Sequence, residues 1–287
     1  MRLVYDLINL IFYSNLWIAL AALALSVQTQ WLLTNQLQWS PLWGVIFFGT
    51  LFLYALHRLI GIRKVSFSGG QTRFEIFEKF KWHLLTYALL SAFAGGYFFL
   101  QLEITVIGAL FLPCLISLLY VLPIFPSGKR GRDFSFLKIF LIAFSWAWIT
   151  VLLPAIDLQM SWIYPIYLIF LERMFFIFAI ALPFDIRDIK VDQYNKVKTI
   201  PTRFGIYTTK RITGVVLLFM MGMVLLNYQI DAYSAASCVA LCLSAIQVFV
   251  LVYLSDRYQH DYFFSGLIDG AMILQFILVI IFNGLFA

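Results

Sequence analysis

The chain has 287 residues, of which 63% are hydrophobic and 12% charged, with a formal net charge of +6 and a mean hydropathy of +0.92. That much apolar surface cannot be hidden in one water-soluble core, so the bilayer has to be the solvent. The positive charge does not point to nucleic acid, because the basic residues cluster in loops beside apolar runs, where topology and anionic lipid account for them.

Crossing hydrocarbon obliges the backbone to satisfy its own hydrogen bonds, and long apolar runs without period-2 alternation favour helices over a barrel. Runs of about 20 residues occur at Leu7 to Val27, Pro41 to Ile60, His83 to Leu100, Ile104 to Leu122, Leu137 to Ile156, Trp162 to Phe184, Ile212 to Tyr228, Ala232 to Leu254 and Phe263 to Phe286. The expectation is an all-α integral membrane protein: a single polytopic domain over 1–287 with nine transmembrane helices. The first run carries no small-residue cleavage pattern and is expected to remain as a helix. Cys114, Cys238 and Cys242 fall inside these runs, without a disulfide framework or a metal-ligand spacing, and read as small core residues.

Lys and Arg are retained in cytoplasmic loops. Of the 20, all but Arg173 lie at the N-terminus or on the even-numbered connections: Arg2, a set from Arg58 to Lys81, Lys129 to Lys138, Arg187 to Arg211, and Arg257. The other connections hold only Glu103, Asp157 and Asp231. A cytoplasmic N-terminus and an outside C-terminus follow, in what would be a bacterial cell membrane.

The richest polar segment is Asp185-Ile-Arg-Asp188-Ile-Lys-Val-Asp192. On a continuous helix these carboxylates, at i, i+3 and i+7, share one face. Like charges on one stripe repel unless a cation sits among them, and hard oxygen ligands suit a Mg²⁺ that bridges to phosphate. A solvated helix end with ordinary surface ion pairs is the other reading of the spacing.

This segment, with Lys198-Thr199-Ile200-Pro201-Thr202-Arg203-Phe204-Gly205 after it, resembles the second aspartate-rich motif of the UbiA superfamily of membrane prenyltransferases, nearest to its menaquinone-type branch. Tyr120, Lys129 and Arg130 resemble the family's tyrosine and Lys-Arg positions beside the diphosphate. The resemblance implies a nine-helix UbiA-like bundle and transfer of an isoprenyl group from its diphosphate to a lipophilic acceptor. It also implies Mg²⁺ as cofactor, held by two aspartate-rich motifs at the cytoplasmic ends of helices two and six. Asp185, Asp188 and Asp192 would then be the catalytic, metal-holding residues.

The first motif departs from the family. Where an Asn/Asp-Asp-x-x-Asp-x-x-x-Asp pattern belongs, the chain reads Tyr54-Ala-Leu-His57-Arg58-Leu-Ile-Gly61-Ile-Arg63-Lys64, without a carboxylate. In one reading Arg58, with Arg63 or Lys64 and His57, contacts the diphosphate directly and leaves an altered or one-metal prenyltransferase. In the alternative, the fold has become a non-catalytic isoprenoid or lipid binding or transport protein. The partners expected are an isoprenyl diphosphate, a lipophilic acceptor and membrane lipids.

Charge within the bilayer costs at least ~2.5 kcal/mol, so Glu172, Arg173 and Asp269 need partners. Arg173 with Asp269 is the expected interhelical pair, with Glu172 in a structural role; the alternative places Glu172 in the acceptor pocket as a hydrogen-bonding or proton-accepting group. Gly95-Gly96 is expected to allow close helix packing. The 18% aromatic share is what lipid-facing and interfacial positions ordinarily require. His83, Asp256, His260 and Asp261 form no recognisable triad or metal set.

Overall fold

A computed structural model describes residues 14–65, 81–122, 131, 134, 136–160, 163–194, 197–258 and 260–285; the side chains of 60–65, 81 and 121 are outside that description. The described residues are mostly helical, with no strand among them. In chain order the helices are α1 (Leu16–Thr34), α2 (Pro41–Val65), α3 (Lys81–Phe99) and α4 (Ile104–Val121). They continue as α5 (Leu137–Asp157), α6 (Tyr164–Arg187), the short α7 (Ile189–Tyr194), α8 (Ile200–Gln229), α9 (Ala235–Leu254) and α10 (Phe263–Leu285).

Seven of these are long and apolar enough to cross a membrane: α1, the Pro41–Leu59 stretch of α2, α5, α6, α8, α9 and α10. Ile104–Tyr120 is apolar but shorter, and α3 carries polar residues into its first turns. Among the described residues, then, seven helices meet the length and composition of a membrane span. Large apolar side chains such as Phe93, Leu100, Phe111 and Leu218 stand fully outward, as helices solvated by lipid require.

The chain divides into two compact units. The first comprises residues up to Leu23 and Trp39–Leu102. Within it α2 and α3 lie antiparallel: Phe98 packs onto Gly44, Gly95 faces Phe48, and the Phe48 and Phe98 rings stack 5.9 Å apart. Gly96, expected to share that contact, faces open space.

The second unit comprises Ala24–Gln38 and Glu103–Ala287. Its central helix is α6, which packs against α5, α8 and α9, while α10 packs on α9. Their common core includes Val151, Leu152, Ile166, Ile169, Val224, Leu241 and Val279. Both α5 and α10 widen into π-helical turns, at Trp148–Leu152 and Phe263–Ile268. A π turn loosens the i to i−4 ladder and frees carbonyls for other donors. The Thr150 carbonyl is used in this way: it accepts from the Thr29 hydroxyl of α1 at 2.6 Å.

Two boundaries and the burial of the cysteines differ from the sequence expectation. The first helix runs seven residues beyond Val27 to Thr34, through Gln28, Thr29 and Gln30. Those polar residues look like a helix end, yet all three are buried, with Gln28 bonded to Gln275 and Thr29 to Thr150. The helix expected from Ile212 begins at Ile200, where the Thr199 amide donates to the Thr202 hydroxyl at 2.8 Å. Cys114 is exposed and only Cys238 is fully in the core.

The early start of α8 is interrupted at Gly205, whose φ of 80° and ψ of 164° lie in a region essentially restricted to glycine. A Cβ there would meet no atom within 4 Å, so a side chain would cost conformational strain alone. Gly205→Ala is expected to lower stability by about 1–3 kcal/mol, read from chemical denaturation in mixed micelles; an unchanged midpoint would show that the kink relaxes freely.

Candidate functional site

The second unit gathers its charged residues where α4 ends, α5 begins and α6 ends. The start of α5 is fixed by the segment before α8. The Phe136 amide donates to the Lys198 carbonyl at 3.2 Å, and Arg203 lies over the rings of Phe136 and Phe204 at 5.6 and 5.4 Å. Gly131 lies so close to the end of α4 that a Cβ would come within 2.9 Å of the Leu119 carbonyl oxygen and 3.2 Å of the Tyr120 Cα. Only glycine permits that approach, which holds the α4–α5 connection against Tyr120.

Lys138, in the first turn of α5, is central. Its ammonium donates to Asp185 Oδ1 at 2.6 Å, the side chains being 17% and 5% exposed. Asp192 and Tyr120 also act on its charge. Four residues from four elements thus share one neighbourhood: Tyr120, Lys138, Asp185 and Asp192.

Asp188 is turned elsewhere. The expectation that the three carboxylates share one continuous helix face is corrected, because α6 ends at Arg187 and Asp188 caps it with φ −90° and ψ 8°. Asp192 belongs to α7. The Asp188 carboxylate accepts from Arg187 Nε at 2.9 Å and from a terminal guanidinium nitrogen at 3.3 Å. Arg187 is itself held between the Phe184 and Phe264 rings, 5.2 and 4.9 Å away, and reaches Asp261 at 4.0 Å. A cation in the last turn also meets the negative end of the α6 dipole. Among the described residues no three His, Cys, Asp or Glu side chains converge as a ready ligand set.

Lys138 and Arg187 are the site residues that sequence reasoning missed, along with Asp261, to which it gave no role. Lys138 was legible only as one more basic residue of a connection, and Arg187 as a charge between two aspartates. Lys129 and Arg130 lie outside the described residues. His57 and Arg58 are half-buried on α2, in the first unit, with His57 against the Tyr54 ring.

Away from this cluster, α6 carries a second polar set. Glu172 and Arg173 are both 0% exposed. The Tyr233 hydroxyl donates to Glu172 Oε2 at 2.8 Å. Arg173 donates from one terminal nitrogen to the Leu25 carbonyl at 3.1 Å and to the Thr150 hydroxyl at 3.4 Å. The expected Arg173–Asp269 pair gives way to this arrangement; the acidic group acting on Arg173 is its neighbour Glu172. At the far end of α9, Lys210 donates to Asp256 at 2.7 Å, and that hydrogen bond holds the Asp256 carboxyl below the usual carboxylate range.

The sequence model of the UbiA prenyltransferase family matches residues 78–277, and the chain belongs to that family. Solved structures with the same fold include a UbiA homologue from Archaeoglobus fulgidus bound to DMAPP and Mg²⁺, at a TM-score of 0.64 and 11% identity, covering 95% of this chain and 98% of that one. The same homologue bound to GPP and Mg²⁺ gives 0.62 at 11% identity over the same shares. A structure described under digeranylgeranylglyceryl phosphate synthase gives 0.57 at 14% identity, covering 97% of each chain. No curated protein sequence matches the chain. It is a multi-pass membrane protein with a prenyltransferase fold.

Proposed function

We propose that the protein transfers an isoprenyl group from its diphosphate to a lipophilic acceptor within the membrane, at a site on the cytoplasmic side. The observation that carries this reading is the Lys138, Asp185, Asp192 and Tyr120 cluster at one end of an otherwise apolar bundle of this family. Such a cluster can hold a diphosphate at the membrane surface while the isoprenyl tail enters among apolar helices.

In the reaction the bond between the allylic carbon and the diphosphate oxygen breaks with its electron pair on the diphosphate, and the acceptor attacks the carbon and loses a proton. The protein's part is to stabilise the leaving charge and orient the two reactants. Carboxylate oxygens are the right donors for Mg²⁺; with Asp185 engaged by Lys138, Asp188 and Asp192 are the carboxylates of this segment that would hold it, and bound there it would neutralise charge on the departing diphosphate. Lys138 lies in the same cluster. Lys129 and Arg130 are assigned the remaining positive charge, and Tyr120 a hydrogen bond to diphosphate oxygen. Arg187, fixed by two aromatic rings, positions Asp188.

The test is binding of geranyl diphosphate to the purified full-length protein in the presence of Mg²⁺. The natural sequence should bind, and Asp188→Asn should weaken binding by about tenfold or more, the worth of one charged interaction. No binding by the natural sequence would overturn the reading. Binding without diphosphate release in the presence of bacterial membrane lipids would favour the non-catalytic alternative, which the absence of a carboxylate between Tyr54 and Lys64 supports.

A further inference from the structure

Two of the three carboxylates in the second-motif segment already hold cations that the protein supplies. Asp185 is paired with Lys138 at 2.6 Å in a nearly enclosed position, and Asp188 is paired through two hydrogen bonds with an Arg187 clamped between rings. Formally, the charge of −3 on Asp185, Asp188 and Asp192 is reduced to −1 by Lys138 and Arg187. A divalent ion at Asp185 Oδ1 would have to take that oxygen from the ammonium. The segment from Tyr54 to Lys64, where a second set of metal-holding carboxylates would belong, offers cations and no carboxylate.

We propose that Lys138 is a tethered cation of the diphosphate site, taking the place of a divalent ion at Asp185, so that the site binds diphosphate with one metal at most. This rests on the reading of the cluster as a diphosphate site. An ammonium group has three N–H donors. One is directed at Asp185, which leaves two with which the group can meet diphosphate oxygens. As a compact point charge on a flexible stem, lysine can follow the phosphate without the strict octahedral geometry that Mg²⁺ demands. Asp185 is then the residue that orients Lys138. Tyr120 and Asp192, both acting on the same ammonium, complete its surroundings.

The experiment measures geranyl diphosphate binding to the full-length protein in lipid nanodiscs, with Mg²⁺ and again with EDTA, for the natural sequence, Lys138→Met and Lys138→Arg. Mn²⁺ titration followed by electron paramagnetic resonance reports metal binding independently of substrate. The natural sequence should keep its binding on chelation to within about tenfold, one charged interaction at most. Lys138→Met should lose about 10- to 100-fold of the chelated binding, recover much of it with Mg²⁺, and bind Mn²⁺ more tightly, because Asp185 is released. Lys138→Arg should keep the chelated binding. Binding by the natural sequence only when Mg²⁺ is present would overturn the inference while leaving the diphosphate site standing. Chelated binding undiminished in Lys138→Met would overturn it equally. No geranyl diphosphate binding by the natural sequence under either condition would overturn both the site and the inference, and that outcome does not depend on any variant folding.

Discussion

Arg173→Met is expected to destabilise the protein by about 3–5 kcal/mol, the usual cost of leaving a buried charge without the opposite charge near it. Glu172 and Arg173 are completely enclosed within the second unit, and the charge acting on each is that of the other. Removing the guanidinium leaves the Glu172 carboxylate with the Tyr233 hydroxyl as its hydrogen-bond donor. It also strips the Leu25 carbonyl and the Thr150 hydroxyl of a donor. Those two contacts matter because the α5 backbone opens into a π turn at Thr150 and α1 is fastened there by Thr29. The measurement is the unfolding midpoint in mixed micelles, followed by tryptophan fluorescence. The control is Glu172→Gln/Arg173→Met, in which both charges are gone; it should recover more than half of the loss, since neutralising a buried pair together is often nearly neutral. A single variant as stable as the natural sequence would mean that Glu172 is already uncharged.

Asp185→Leu should cost a similar ~3–5 kcal/mol, because the Lys138 ammonium, 17% exposed, would lose the carboxylate to which it is hydrogen-bonded. A double-mutant cycle with Lys138→Met separates this from mere loss of packing. If the two groups stabilise each other across 2.6 Å, the double variant should be more stable than the sum of the single losses predicts, with a coupling of up to ~3 kcal/mol. Strictly additive losses would show that the ion pair contributes no mutual stabilisation. The same cycle bears on the proposed diphosphate site, in which Asp185 would orient Lys138.

Both predictions turn on contacts with different legibility in the sequence. The cost of intramembrane charge marks Glu172 and Arg173 as residues that need partners, whatever the fold. Their actual partners were not legible: Tyr233 lies 61 residues from Glu172, and Leu25 lies 148 residues from Arg173. Asp269 was a reasonable guess as a lone acid on another helix, but charge type alone cannot say which faces meet. Gln28, Thr29 and Gln30 misled for the same reason. Polar side chains at the end of an apolar run suggest the membrane surface, whereas a bundle can bury them where another helix supplies the matching groups.

By itself the sequence determined the class of protein and the outline of its bundle. The bilayer thickness translates directly into run length, and backbone hydrogen bonding in hydrocarbon leaves only helices for runs of this pattern. The second-motif carboxylates were equally legible, as a local pattern at fixed spacing. Tertiary structure decided what those carboxylates do. The break at Asp188 divides a stripe that helical periodicity makes continuous, and it turns Asp188 towards Arg187 while Asp185 and Asp192 remain beside Lys138. Lys138 is 47 residues from Asp185, and no helical repeat relates positions that far apart. Their meeting depends on α5 and α6 packing along one another, with the start of α5 fastened by the backbone bond from Phe136 to Lys198. Periodicity governs neighbours within one helix, and the charge balance of this site is set between helices.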